Sequence, residues 1–590
     1  MLRPEVAPGI QMGDFMLFNK ENGRRVSVLL IAALAGSSFL NAADDATRTV
    51  APAQSQNDEI TALKAALAAQ QKQLEALQAT MAKQQELLQK AVTAQTPRPA
   101  SLGNVASTTP YIPVAPVPAM AIPAAQAPKP AAAASASKNP CEAGPDNVVP
   151  PYIRLGSVCA IPIGFMDLTS VWRNENAASS IGSNFGSVPF STAVPAGKLS
   201  EFRFSPQNSR IGFRIDGDWK GAHFIGYNEF DFLGTSGSTN LTVTNGAFVP
   251  RLRLFWVDVR KDKWEFLAGQ SWSMLTPNRK GISALPGDLF YSQVIDVNYM
   301  IGLTWTRQPG MRFLYHPNKQ VTFGFSAENP DQYMGGSAGG SASVLPAALT
   351  GLSTSQLDNG TNIGTFNPTL AIPSVHPDFI AKVAFDPSSR LHAEVAGIFR
   401  TFKDINPLAA PAAGAGKTST KNGAGIQFGF NAEVVKNIRL VSTNYWSDGG
   451  GRYLFGQAPD VVVRADGSLS PVHAAGTVDG IEATIKNTLL YTYYGGIYVG
   501  RNVVLDANGT SKVGYGFTGS SQNRAINEFT VGFNQTLWKN PRYGAINFMG
   551  QYEYLQRNPW SVAPGALSNA HDHTIYTNIR YTLPGSMPNF

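Results

Sequence analysis

Between Ser209 and Phe232 apolar and polar residues alternate, break at a short polar turn and then alternate again. Ile211, Phe213 and Ile215 are interleaved with Arg210, Gly212, Arg214 and Asp216, and Asp218-Trp219-Lys220-Gly221 leads into Phe224 to Phe232. Successive side chains of an extended strand point to opposite faces, so the stretch predicts a hairpin with one apolar and one charged face. In a soluble sheet the apolar face would cover a core. In a membrane barrel it would face lipid, and the charged face would line a lumen.

The way the unit repeats separates these cases. Seven connections are short and polar: Asp218 to Gly221, Arg260 to Lys263, His316 to Gln320, Asp386 to Ser389, Lys436-Asn437, Lys486-Asn487 and Lys539 to Arg542. Eight others are long: Asn174 to Ser200, Gly234 to Ala247, Ser273 to Gln308, Asn329 to His376, Asp404 to Asn422, Gly449 to Gly476, Arg501 to Arg524 and Arg557 to His571. Short and long connections taking turns along about sixteen strands predict an all-β fold, a 16-stranded antiparallel transmembrane β-barrel over residues 161–590. A sandwich has no reason to place every long loop on one edge. Closing the sheet also satisfies each backbone polar group without water, as a bilayer requires.

The preceding segments read differently. Arg24-Arg25, the apolar run Val26 to Leu40 and the small residues after it predict a signal peptide over 1–42, with Met12 or Met16 as alternative starts. A twin-arginine export signal matches only in the two arginines. Ile60, Leu67, Leu74, Met81 and Leu88 recur every seven residues, and Leu63, Gln70, Leu77, Gln84 and Ala91 fill the second seam position. This heptad pattern predicts an N-terminal α-helical coiled coil over 58–92, hence chain association. Its seam does not fix the number of chains. Residues 93–160 are rich in proline and alanine and predict an extended linker. Export to an oxidising compartment predicts a disulfide between Cys141 and Cys159, the two cysteines of the chain.

Composition narrows the function. The formal charge of +7 is spread along the chain rather than gathered in a stripe, which argues against nucleic acid as a partner. No cysteine pair has zinc spacing, and no cofactor or metal site is expected. Gly335-Gly336-Ser337-Ala338-Gly339 spells a nucleophile elbow, but it lies in a Gly/Ser-rich loop with no helix after it. His571-Asp572-His573 puts two histidines on one strand face without a third ligand nearby. The expectation is a protein that is not an enzyme.

Strand parity places Arg203, Arg210 and Arg214 opposite Phe202, Phe204, Ile211, Phe213 and Ile215, and Arg251 and Arg253 opposite Leu252, Leu254 and Trp256. Charge on a lipid face is costly, so these arginines are expected in the lumen. The third long loop adds Arg279, Lys280 and Arg307, with Asp288. Folded inward, it would narrow the pore beside the wall arginines. Rings of arginine or lysine favour anions, and the guanidinium fork suits carboxylates. The competing expectation is that some of these charges pair with Asp216, Asp218, Glu229 or Asp231 and only hold the wall together.

Ser205-Pro206-Gln207-Asn208-Ser209-Arg210-Ile211-Gly212-Phe213, Gly269-Gln270-Ser271-Trp272-Ser273, Phe325-Ser326-Ala327-Glu328-Asn329-Pro330 and His376-Pro377-Asp378-Phe379 follow one another in the order found in DcaP-like outer-membrane porins, which the chain resembles from Ile161 to Phe590. The resemblance implies a homotrimer of sixteen-stranded barrels in the outer membrane. It also implies a periplasmic coiled coil and passage of small anions such as dicarboxylates. The coiled coil would stiffen the trimer or reach the cell wall. One departure is the break between Tyr581-Thr582-Leu583 and the terminal Phe590, where Pro584 and Pro588 interrupt the alternation before the aromatic end. Two rival readings are a secreted all-β carbohydrate-binding or hydrolysing protein, and a plugged barrel serving as adhesin or anchor.

Overall fold

The computed structural model describes residues 152–584 apart from 178–179, 235–247, 285–294, 337–339, 353–355, 359–369, 371 and 407–415. The signal segment, the heptad stretch, Cys141, Asp288, Ser337 and Phe590 lie outside the described residues. Sixteen staves form the wall. They begin with β1 (Val158–Arg173), β2 (Glu201–Ser205 and Arg210–Trp219, one stave broken at Pro206), β3 (Ala222–Gly234) and β4 (Val249–Lys261). Next come β5 (Trp264–Trp272), β6 (Arg307–Tyr315), β7 (Val321–Glu328) and β8 (Asp378–Ser388). Then follow β9 (Leu391–Asn406), β10 (Lys417–Val435), β11 (Ile438–Asp448) and β12 (His473–Ile485). The wall ends with β13 (Thr488–Val499), β14 (Asn523–Asn540), β15 (Gly544–Pro559) and β16 (Ala570–Thr582).

Each stave pairs antiparallel with its sequence neighbours. The sheet closes where β1 meets β16, with Phe165 opposite Thr582 and Arg173 opposite Thr574. Ile153–Leu155 folds back on the start of β1, beside Cys159, which is buried and disulfide-bonded. All seven short connections expected from the sequence join consecutive staves. At the first, Lys220 (φ 49°) and Gly221 (φ 77°) are both left-handed, as a two-residue hairpin with right-handed strand twist requires. The fifth long loop is shorter than expected, because β10 already begins at Lys417 rather than after Asn422.

The wall is apolar outside and polar inside. Phe204, Ile211, Phe255, Phe313, Phe325, Ile426, Phe428 and Ile579 are exposed, while Asp216, Arg253, Arg312, Lys382, Glu394 and Arg400 are buried. A water-soluble sheet has the opposite preference. Buried charges survive only when paired and hydrogen-bonded, so the interior is a network. Lys382, for example, is bonded to Glu394 at 2.8 Å, to the carbonyl of Thr276 at 2.9 Å and to Asn278 at 3.1 Å.

Toward the end that carries the long loops, parts of those loops pack inside the wall and against each other. Trp305 of the third loop bridges in parallel to Leu454 of the sixth and stacks on Phe455 at 4.7 Å. Phe185 of the first loop joins Met274, Ile301, Tyr453 and Leu454 in one buried apolar cluster. These contacts tie the described parts of the third loop to the first and sixth loops.

Candidate functional site: an arginine cluster under the third loop

The third loop is fixed by a repeated device, in which its backbone amides donate to carboxylates on the wall. Met274 N–H reaches Glu328 at 2.7 Å, Asn278 N–H reaches Glu394 at 3.2 Å, and Gly281 N–H reaches Asp386 at 2.9 Å. Ile301 N–H reaches Glu528 at 2.9 Å. A buried loop must satisfy its own backbone, and here β7, β8, β9 and β14 supply the acceptors. Gly302 (φ 87°) rests on β12 and β13 so closely that a Cβ would stand 2.2 Å from the carbonyl oxygen of Thr477 and 2.6 Å from that of Gly496. Only glycine fits there.

Against this loop stand four arginines and two carboxylates. Arg253 donates to Glu229 at 2.7 Å and to Asp231 at 2.8 Å, and Arg251 grips Asp231 through two bonds of 3.0 and 2.7 Å. Arg210 lies 3.7 Å from Glu229. From the loop, the Tyr299 hydroxyl accepts from Arg210 at 2.8 Å and from Arg253 at 3.0 Å. Trp272, the last residue of β5, carries Arg253 and Arg307 over its ring at 5.8 and 5.4 Å. Arg307 has no carboxylate partner among the described residues, and its Nη1 is buried without a hydrogen bond there. Four guanidiniums therefore share Glu229 and Asp231, leaving a formal excess of two positive charges. Burial alone would raise the Tyr299 phenol, yet Arg210 and Arg253 outweigh it and hold the hydroxyl below the ordinary tyrosine range.

The remaining sequence-predicted residues lie elsewhere. Arg214 is clamped by Asp216 of its own stave at 2.6 and 2.8 Å, which is the pairing alternative raised from the sequence. Arg203, half-exposed, donates to Glu201 at 2.6 Å. Arg279 holds Glu482 through bonds of 2.9 and 2.5 Å and so ties the loop to β12. Lys280 is exposed with no ion pair among the described residues. Arg307 opens β6 rather than belonging to the third loop. His571 and His573 sit on the outward face, ringed by Tyr552 and Tyr554.

The crystal structure of the outer membrane channel DcaP of Acinetobacter baumannii matches with a TM-score of 0.52 at 16% identity, covering 73% of this chain and 98% of that one. The chain shares the DcaP fold. An anion-selective porin from Comamonas acidovorans matches with a TM-score of 0.38 at 13% identity, covering 72% of this chain and 99% of that one. No protein-family model and no curated protein matches the chain.

Several charged residues of the interior were not singled out from the sequence. Arg400 bonds Asp378 at 2.9 Å and Asp460 at 2.8 Å, and Arg452 bonds Asp331 at 2.6 Å. Here two arginines meet three carboxylates, so this group fastens the fourth and sixth loops and adds no positive excess. Parity would have found Arg400, since it alternates with exposed Phe399. No sequence signal marks Tyr299.

A second acidic group lies on the other flank of the loop. Asp296 accepts from the amides of Ser183 at 2.9 Å and Asn298 at 2.7 Å, and the Ser183 hydroxyl donates to Glu553 at 2.8 Å. Burial raises the Asp296 carboxyl above the ordinary range despite those donors.

Proposed function

We propose that the protein is an outer-membrane porin for passive diffusion of small hydrophilic solutes, with a preference for anions such as dicarboxylates. The observation that carries this reading is the cluster of Arg210, Arg251, Arg253 and Arg307, whose charge Glu229 and Asp231 only half neutralise. Fixed positive charge at a narrow place replaces part of an anion's hydration and raises its local concentration. The outward apolar face and the DcaP fold support residence in the outer membrane. The heptad stretch and the sequence resemblance support a homotrimer with a periplasmic coiled coil. Transport on this reading needs no chemistry and no energy input.

Liposome swelling tests it. Vesicles bearing the protein should admit succinate or malonate several-fold faster than a diamine of the same size, and equal or inverted rates would contradict the anion preference.

A pH effect follows from the acidic flank. Asp296 takes up its proton above the pH at which an ordinary aspartate does, so acidification removes a negative charge beside the loop before ordinary carboxylates titrate. The anion-to-cation permeability ratio should therefore rise as pH falls from neutral toward the usual carboxylate range. D296N should raise the ratio at neutral pH and flatten this part of the profile. A variant with the wild-type profile would show that Asp296 lies away from the permeation path.

A further inference from the structure

Outside the lumen, on the rim that carries the long loops, the wall holds a groove and a charged head together. The groove has a volume of about 600 Å³ and is lined mainly by apolar surface. Ala475 of β12 forms its floor between Trp446 of β11 and Tyr498 of β13, which flank it in register. Both aromatic rings face outward, Trp446 with 54% and Tyr498 with 47% of its surface exposed, and Ile426 continues the wall. His473 and Asp448 close the rim, 3.3 Å apart.

Tyr498 also meets Trp560 edge to face at 5.9 Å. Trp560 is a rigid platform: its indole N–H donates to Val499 O at 3.0 Å and its backbone N–H to Gln522 O at 2.8 Å. Two guanidiniums stand over that one ring, Arg501 at 4.3 Å and Arg524 at 6.0 Å. Arg524 is exposed at a bulge, where the ladder of β14 skips from Asn523 to Ala525. Neither arginine has a carboxylate partner among the described residues, unlike the paired arginines of the interior. Two exposed, unneutralised cations stacked on an anchored indole, beside an apolar slot facing the bilayer, match the two halves of an anionic lipid.

We propose that this face binds a lipid of the surrounding leaflet, its phosphate headgroup on Arg501 and Arg524 and an acyl chain in the slot between Trp446 and Tyr498. Guanidinium forks suit phosphate oxygens, and aromatic rings with small residues between them accommodate a hydrocarbon chain. The occupant is an acylated, phosphate-bearing lipid of that leaflet rather than free phosphate, because only an acylated molecule uses the groove.

The test is native mass spectrometry of the full-length protein in detergent, titrated with phosphatidylglycerol, phosphatidylcholine or inorganic phosphate. The wild type should retain phosphatidylglycerol preferentially, and R501Q/R524Q should weaken that retention about tenfold while leaving single-channel conductance unchanged. A475W, which fills the slot without touching the arginines, should also weaken it. Equal retention of phosphatidylcholine, or retention unaltered in both variants, would overturn the proposal. Displacement of the lipid by millimolar inorganic phosphate alone would assign the arginines to a free anion instead. Because conductance is read separately, failure here would not bear on the channel reading.

Discussion

Replacing both Arg253 and Arg307 with glutamine is expected to abolish the anion preference of the channel. The cluster under the third loop then holds Arg210 and Arg251 against Glu229 and Asp231, and its formal excess falls from two positive charges to none. A unit charge at contact distance in a water-like medium is worth about 1 kcal/mol, or roughly fivefold in local ion concentration per charge. Losing two should bring the anion-to-cation ratio to unity or below, read as the reversal potential in a salt gradient across a planar bilayer. Single changes divide the effect. R307Q removes a charge that has no carboxylate partner among the described residues and should alter selectivity with little loss of stability. R253Q leaves Glu229 and Asp231 short of a donor and should also lower the unfolding temperature, since breaking a buried pair costs about 3–5 kcal/mol. An unchanged reversal potential in the double variant would place the cluster outside the path of the ions.

The second large effect is expected at Gly302. A valine there meets the carbonyl oxygens of Thr477 and Gly496 at distances no side chain tolerates, in a backbone conformation that β-branched residues avoid. The segment from Tyr299 to Trp305 must then lift from β12 and β13. It would take Tyr299 away from Arg210 and Arg253 and strain the hydrogen bond that the Ile301 N–H donates to Glu528. G302V should therefore show higher and noisier single-channel conductance than the wild type, with weaker selectivity, while the sixteen-stave wall remains folded by circular dichroism. Wild-type conductance in a folded G302V would mean that this part of the loop does not set the constriction.

Strand-level information was largely legible. A bilayer imposes period-two alternation on each stave, and the turns between Lys220 and Tyr543 stand out as polar breaks in that alternation. Parity also placed Arg210 and Arg214 on the face opposite Ile211, Phe213 and Ile215, because charge on a lipid surface is costly. On β4 it failed beyond Leu252: a bulge at Arg253 shifts the register, so Leu254 and Trp256, expected opposite Arg251 and Arg253, turn inward and are buried. Legibility fell where lipid no longer acts. Lys417 to Asn422 extends β10 with polar residues on both faces, which offers no alternation to read, so the pattern predicts a longer fifth loop than the structure has. Pairing was harder still. Arg214 is neutralised by Asp216, two positions along its own strand, whereas Arg253 draws Glu229 and Asp231 from a neighbouring stave and Tyr299 from a loop 46 residues away. The balance of charge at the site depends on the path of the third loop. That path is set by scattered backbone amides on Glu328, Asp386, Glu394 and Glu528, none of which forms a motif.

The most direct measurement is the zero-current potential of the unmodified protein, purified and inserted into a planar bilayer separating two concentrations of potassium chloride. An arginine-lined pore narrowed by the third loop predicts discrete current steps whose reversal potential lies toward the chloride equilibrium value. Absence of any current, or reversal toward the potassium value, would contradict it.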